Sequence, residues 1–355
     1  MNYTDNTYHF RQDSTFLYYF GIQQPGLAAV IDIDNDTEVV FGDEYTVEDY
    51  VWRGPQPTIA SLAEKCGVHK VQPAVNLAAV VDQAQKKKQT IHFLPLYRHE
   101  NKIRLFELLG ILPREIPGES SLDLVKAVVS QREIKTEEEI FQLHQAASVS
   151  VDMHVAAMKF AKPGMTEAQV TAEIHKVAIA AGGNIAFPII ATINGQTLHN
   201  HYHGNTLKEG DLFLVDAGYE NEMCYAGDLS STIPVSKKFT PVQRDIYQLS
   251  LDAHESAIAA AQLNRPFRNV HLAATRTIFD GLKVMGLTKG NTDDALEAGA
   301  HALFFPCGTG HMMGLDVHDM EDLGEMWVGY DGQPKSTQFG LKSLRLAKPP
   351  KPGHV

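Results

Sequence analysis

The sequence predicts a mixed α/β protein of the α+β kind in two domains, on three observations. With 355 residues and 44% hydrophobic content, the chain can bury more core than one small domain needs. β-rich runs separated by turn residues occur in its first third, and long helical patterns with cap signals occupy much of the rest. Between them, "LPREIPGESS" at 112–121 is rich in Pro, Gly and Ser, the composition of a connection. The boundary is placed there, giving domains 1–122 and 123–355.

Taken in order, residues 27–42, "LAAVIDIDNDTEVVFG", read as a hairpin, because Asp34-Asn35-Asp36 tolerate the backbone angles of a tight turn. Helical signals follow in "IASLAEKCG", "NLAAVVDQAQKKK" and "KIRLFELLG", the first and last stopping at Gly67 and Gly110. "TIHFLP" between them is strand-like. In the second domain a long helix starts at Thr136, which with Glu139 forms a capping box, and ends before Pro163-Gly164. Another runs from a cap at Thr166 to a stop at Gly182. Strands come next, then helices over "PVQRDIYQLSLDAHESAIAAA" and "VHLAATRTIFDGLKVMG", then a glycine-rich strand region.

Composition narrows the partners. A formal net charge of −12 disfavours nucleic acid and anionic membrane surfaces, both of which want a basic patch. No apolar run approaches the roughly 18 residues of a membrane span, and "MNYTDNTYHFRQDS" lacks the regions of a signal peptide. Cys66, Cys224 and Cys307 are an odd number, far apart and without C-x-x-C spacing, which points away from a disulfide framework or a thiolate zinc site and toward the cytoplasm.

Chemistry concentrates in "GDLFLVDAGYENEMCYAGDLSSTIP" at 210–234. The apolar run Leu212-Phe213-Leu214-Val215 reads as a strand buried on both faces, and it ends in Asp216; Asp228 follows. If the two halves are antiparallel about a turn centred near Asn221 to Met223, the acids oppose each other with Cβ atoms roughly 4.5–5.5 Å apart. Two such carboxylates repel unless one is protonated or a cation lies between them. The alternative is that they cap turns, since Ala217-Gly218 and Ala226-Gly227 are turn-like. "HNHYHG" at 199–204 holds three histidines, a pattern that a solvated loop also gives. "GTGHMMGLDVHD" at 308–319 is sharper, because Gly308, Gly310 and Gly314 permit close backbone approach around His311, and His318 follows a strand-like "LDVH".

The ordered set "LHNHYHG", "VDAG…AGD…STIP", "CGTGHMMGLDVHD" and "GLKSLRLAKPPKPG" resembles the aminopeptidase P and prolidase branch of the pita-bread metallopeptidases, relatives of methionine aminopeptidase and creatinase. "FRQDSTFLYYFGIQQPGLAAVID" is similar to the amino-terminal domain of aminopeptidase P, so the resemblance covers nearly the whole chain. It implies a creatinase-like first domain, a pita-bread catalytic domain binding two divalent ions, and a peptide substrate with proline in second position; a homo-oligomer is compatible with it. By the resemblance, Asp216, Asp228 and His311 match metal ligands. His199 and His318 match substrate-side histidines, the latter holding the scissile carbonyl or the tetrahedral intermediate. Arg345 matches an arginine that anchors a carboxylate or an acidic neighbour. The Asp216 to Asp228 interval looks one residue longer than in the best-known members, which a bulge would absorb.

The implied chemistry is that of two ions about 3.5–4 Å apart, which lower the pKa of a water and polarise the peptide carbonyl. A carboxylate-rich set with one histidine suits manganese first, with cobalt, zinc or iron as alternatives. The expected activity is removal of an amino-terminal residue preceding proline by an Xaa-Pro aminopeptidase. An Xaa-Pro dipeptidase and a catalytically dead pita-bread binding protein are the alternatives. In the family a segment like "KPPKPGHV" leads to strands bearing two glutamates, which these residues do not contain. The resemblance thus implies a chain incomplete at both ends and a poor or inactive peptidase for want of those carboxylates. Glu321 and Glu325 are expected to be surface acids.

Overall fold

The structure is a computed structural model describing residues 6–355; the first five residues of the amino-terminal stretch read above lie outside the described residues. It divides into two compact units, Met1–Val128 and Val129–Val355.

In the first unit, α1 (Ser14–Phe20) begins where Asp13 accepts a hydrogen bond from the Phe16 N–H, and it stops at Gly21, whose φ of 59° is left-handed. β1 (Ala28–Asp32) and β2 (Thr37–Phe41) form the predicted antiparallel hairpin, with Val30 opposite Val39. Its turn is fastened by Asp32, whose carboxylate accepts from the Asn35 backbone at 3.2 Å and side chain at 2.7 Å. β3 (Val71–Gln72) adds to β2 in parallel. The helices are α2 (Val47–Arg53), α3 (Ile59–Lys65), α4 (Asn76–Lys86), α5 (His99–Leu109) and the single turn α6 (Ile116–Glu119). α3, α4 and α5 cover the three predicted helical segments. Phe20, Val40, Ile59 and Ala63 make the core that joins α1, the hairpin and α3. "TIHFLP" is not a strand: the Phe93 carbonyl accepts from the Ser121 N–H at 2.9 Å instead of joining a ladder. Apolar content there reflects packing rather than pairing.

α7 (Leu122–Arg132) contains the division between the units. In the second unit α8 (Glu137–Phe160) carries the predicted capping box of Thr136 and Glu139, and α9 (Glu167–Ala180) one of Thr166 and Gln169. Five strands follow: β4 (Asn184–Ile185), β5 (Ile190–Thr192), β6 (Leu212–Ala217), β7 (Tyr219–Glu220) and β8 (Leu229–Pro234). They pair antiparallel in the order β5-β6-β8, with β4 beside β7. Met153 and Ala157 of α8, Val170 and Ile174 of α9, and Phe213 and Val215 of β6 are buried together beneath this sheet.

α10 (Pro241–Ala260) and α11 (Arg268–Val284) pack through Ala253, Ala257, Val270 and Ala274, small residues that let helices approach closely. α12 (Thr292–Glu297) and α13 (Glu325–Val328) are short. No strand follows β8 among the described residues, so the expected glycine-rich strand region, including "LDVH", is irregular. Its glycines allow loops to touch: a Cβ on Gly308 would lie 2.4 Å from the Leu344 Cα. Among the described residues no helix is long and apolar enough to cross a membrane.

Candidate functional site

β6 does not bury both faces. Phe213, Val215 and Ala217 point into the core, while Leu212, Leu214 and Asp216 lie on the less buried side, as a strand packed on one face requires. Asp216 is therefore aimed away from α8 and α9. Its partner in the ladder is Ser230, not Asp228. The turn is centred one residue later than expected: the Asn221 N–H donates to the Tyr225 carbonyl at 3.1 Å, and Cys224 takes a φ of 67°. Moving a turn's centre by one residue moves each partner by two, which preserves the face. Asp228 consequently stands diagonal to Asp216 and still within its electrostatic reach.

The two glycines beside these acids are not turn formers. A Cβ on Gly218 would lie 1.8 Å from the Gly227 carbonyl oxygen, and one on Gly227 would lie 2.3 Å from Ser150 Oγ of α8. Both positions serve close packing, which presses the hairpin onto the helix.

Asp216 Oδ1 is buried without a hydrogen-bond partner. Burial first, then the charge of Asp228, pushes the Asp216 pKa up to about 6. Nearby, His311 Nδ1 meets the Met312 carbonyl at 3.0 Å and Nε2 meets Asp228 Oδ2 at 3.1 Å. A carbonyl oxygen only accepts, so Nδ1 carries the hydrogen and, in the neutral ring, Nε2 turns a lone pair toward a carboxylate. Metal-ligating histidines are held by this kind of carbonyl contact. The His318 ring centroid is 4.3 Å from that of His311, and its Nδ1 lies 2.8 Å from Glu321 Oε2. Burial first, then the neighbouring His311, lowers the His318 pKa. Asp228, His311 and His318 could each offer one ligand atom, and these atoms lie within 4.8 Å of one another. Carboxylate oxygens, imidazole nitrogens and an orphaned buried oxygen form a donor set that fits a hard or borderline divalent cation.

His199 is exposed and stands outside that three-residue group, although its charge acts on Asp216. Arg345 Nη1 donates to Glu325 Oε1 at 2.7 Å and also to Glu321 Oε1. Glu321 is exposed, as expected of a surface acid, and Glu325 is half-buried; both line one depression with His311, His318 and Arg345. Charge pairing with Arg345, 20 and 24 residues away, holds them there.

Sequence reasoning missed His154 of α8, which is buried with Nδ1 2.6 Å from Ser231 Oγ and Nε2 3.1 Å from the Ala217 carbonyl. It clamps β6, which bears Asp216, to β8, which follows Asp228. The available signal was its place beside Ala146, Ser150, Met153 and Ala157, the buried stripe of α8 at helical spacing. Also missed were Arg132, Lys135 and Asp319, a buried ion cluster directly after His318.

A two-unit α+β chain with carboxylates and imidazoles gathered on a hairpin and a glycine-rich loop is the architecture of a metal-dependent enzyme. The chain belongs to metallopeptidase family M24, in its aminopeptidase P and prolidase branch. The family model for Metallopeptidase family M24 matches residues 142–339, and that for the aminopeptidase P N-terminal domain matches residues 1–92. An Xaa-Pro aminopeptidase of Escherichia coli is 30% identical over 345 residues, 94% of this chain and 76% of that protein. An Xaa-Pro dipeptidase of Homo sapiens is 28% identical over 362 residues, 99% of this chain and 71% of that protein. A probable Xaa-Pro aminopeptidase of Chaetomium globosum is 32% identical over 324 residues, but the chain spans only 51% of its length. Among solved structures, the Pseudomonas aeruginosa aminopeptidase PepP superposes with a TM-score of 0.79 at 26% identity, covering 88% of this chain and 73% of that one. A zinc-substituted Escherichia coli aminopeptidase P in complex with product gives 0.78 at 27% identity, covering 91% and 77%. The creatinase-like first domain and pita-bread second domain expected from the sequence agree with these matches.

Proposed function

We propose that this chain acts as an Xaa-Pro aminopeptidase, releasing the amino-terminal residue of a peptide whose second residue is proline, with divalent ions held at Asp216, Asp228 and His311. The observation that carries the reading is the convergence of the Asp228, His311 and His318 ligand atoms within 4.8 Å, beside Asp216 with its orphaned buried oxygen. When bound, divalent ions lower the pKa of a water and polarise the peptide carbonyl.

The chain's own groups have separable parts in this reading. Asp216 and Asp228 supply the negative charge that offsets the cations. His311 is oriented by the Met312 carbonyl so that Nε2 faces the cluster. His318 is aimed by Glu321 and stabilises negative charge that develops on the scissile carbonyl oxygen. His199, exposed and near enough to act electrostatically on Asp216, contacts substrate. Manganese is the first candidate, with cobalt, zinc and iron as alternatives; zinc occupies a related Escherichia coli enzyme. Cysteine usage supports a cytoplasmic location, and a homo-oligomer is compatible with the reading.

Arg345 favours aminopeptidase over dipeptidase action. A dipeptidase must hold the free carboxylate of its substrate, yet this guanidinium is already paired with Glu321 and Glu325, and Lys335 is paired with Glu325. The test is hydrolysis by the chain, with excess manganese, of an Arg-Pro-Pro type peptide and of an Xaa-Pro dipeptide. Release from the longer peptide, abolished by a chelator, is the expected result. Preferential cleavage of the dipeptide supports the prolidase reading, and no release from either by metal-loaded chain overturns both.

A further inference from the structure

Asp319 immediately follows His318, and its side chain is 1% exposed. Each of its oxygens is taken by a buried cation: Oδ1 by Arg132 Nη2 at 2.7 Å and Oδ2 by Lys135 Nζ at 2.7 Å. Lys135 Nζ also donates to the Arg132 carbonyl at 2.8 Å, and Arg132 Nη2 to Asp316 Oδ2 at 3.1 Å. Such a cluster is expensive to desolvate, and apolar residues of similar volume would often stabilise a fold as well or better. What it provides is geometry.

Asp319 is joined to every member of the candidate metal cluster. It is the sequence neighbour of His318. Its backbone N–H donates to the Met312 carbonyl at 2.9 Å, the same oxygen that holds His311 Nδ1 at 3.0 Å. Its carboxylate lies against Gly314, where a Cβ would come 2.4 Å from Oδ2. The Gly314 carbonyl in turn accepts from the Ala226 N–H at 3.0 Å, two residues before Asp228. Met320, next in the chain, holds a φ of 61° with its side chain fully buried, so the turn cannot relax freely. One ion-locked carboxylate thus ties together His318, His311 and Asp228.

We infer that Asp319, locked by Arg132 and Lys135, is a positioning residue that sets the divalent-cation affinity of Asp228 and His311, beside which it also places His318, without touching cation or substrate. This rests on the proposed metal reading, and the test separates the two.

The experiment is calorimetric titration of manganese into the metal-free chain, at a temperature where circular dichroism shows each variant folded. The double variant Asp319→Asn with Lys135→Met removes one anion and one cation together, avoiding a lone buried charge. Arg132→Lys keeps the charge but loses the planar fork, and it decides the matter if the double variant does not fold. Manganese binding weakened about 10- to 100-fold in a folded variant is expected, as for residues that orient ligands. For an Arg-Pro-Pro type peptide, the manganese concentration that gives half-maximal activity should rise by the same factor, a shift that loss of folded chain, which lowers only the maximum, does not produce. Binding within about twofold of the parent overturns the inference, provided Asp228→Asn abolishes it. If Asp228→Asn also binds manganese like the parent, the metal reading fails and this inference with it.

Discussion

His311 Nε2 lies 3.1 Å from Asp228 Oδ2 while Nδ1 of the same ring is held 3.0 Å from the Met312 carbonyl. Two acceptors facing each other need a proton or a cation between them. Asp228→Asn supplies an amide N–H that can donate to Nε2, so the metal-free variant should fold as well as the parent. It should lose metal, and turnover of an Xaa-Pro peptide should fall by about 10² or more, the scale of removing one charge-stabilising group. Elemental analysis alongside hydrolysis checks this; full activity with the parent's metal content would sink the assignment.

His318→Ala should separate substrate handling from metal binding. Glu321 fixes its Nδ1, which leaves Nε2 for the reacting oxygen. A drop in kcat of about 10²-fold with unchanged metal stoichiometry is expected. A lost metal equivalent would make His318 a ligand instead.

Asp216 predicts a pH dependence. Burial, then Asp228, raises its pKa from 3.8 to about 6 in the folded chain. Between those values the folded state binds more protons than the unfolded state, so this group's contribution to metal-free stability falls as pH rises through that window. Asp216→Asn should therefore melt above the metal-free parent at pH 7, by order 1 kcal/mol once solvent screening is allowed for, with the gap closing near pH 4. Because a cation must displace the proton, manganese affinity of the parent should weaken below about pH 6. Equal melting at both pH values would count against the carboxylate pair.

What was legible in the sequence was local or strongly patterned. The Thr136 and Glu139 capping box needs only residues three apart, and Asp216 announces itself at the end of an apolar run. The hairpin's face was readable while its register was not, because Cys224 adopts a left-handed φ that no glycine or asparagine marks. "LDVH" looked like a strand since apolar residues report burial without naming a partner. Arg132 and Asp319 stand 187 residues apart, and a charge in sequence carries no sign of whether it is buried. For the same reason nothing in the sequence marks that Glu321 and Glu325 share Arg345.

His271 gives the second unit an acid sensitivity of its own. It is fully buried, its Nδ1 lies 3.1 Å from Thr309 Oγ1, and it stacks on Phe305 at 5.3 Å. Burial, then His301, lowers its pKa from 6.5 to about 4. The unfolded chain takes up a proton that the folded chain refuses, so stability is lost as pH falls from 6.5 toward 4. The loss is at most about 3 kcal/mol. His271→Phe should flatten that part of the stability profile in denaturant titrations; an unchanged slope would place the acid sensitivity elsewhere.

Equilibrium binding of manganese to His311→Ala beside the parent tests most directly whether His311 and the hairpin acids hold divalent ions. The parent should bind manganese stoichiometrically. His311→Ala should bind at least about 10-fold more weakly, with an unchanged circular dichroism spectrum. Equal binding by the two would contradict the assignment.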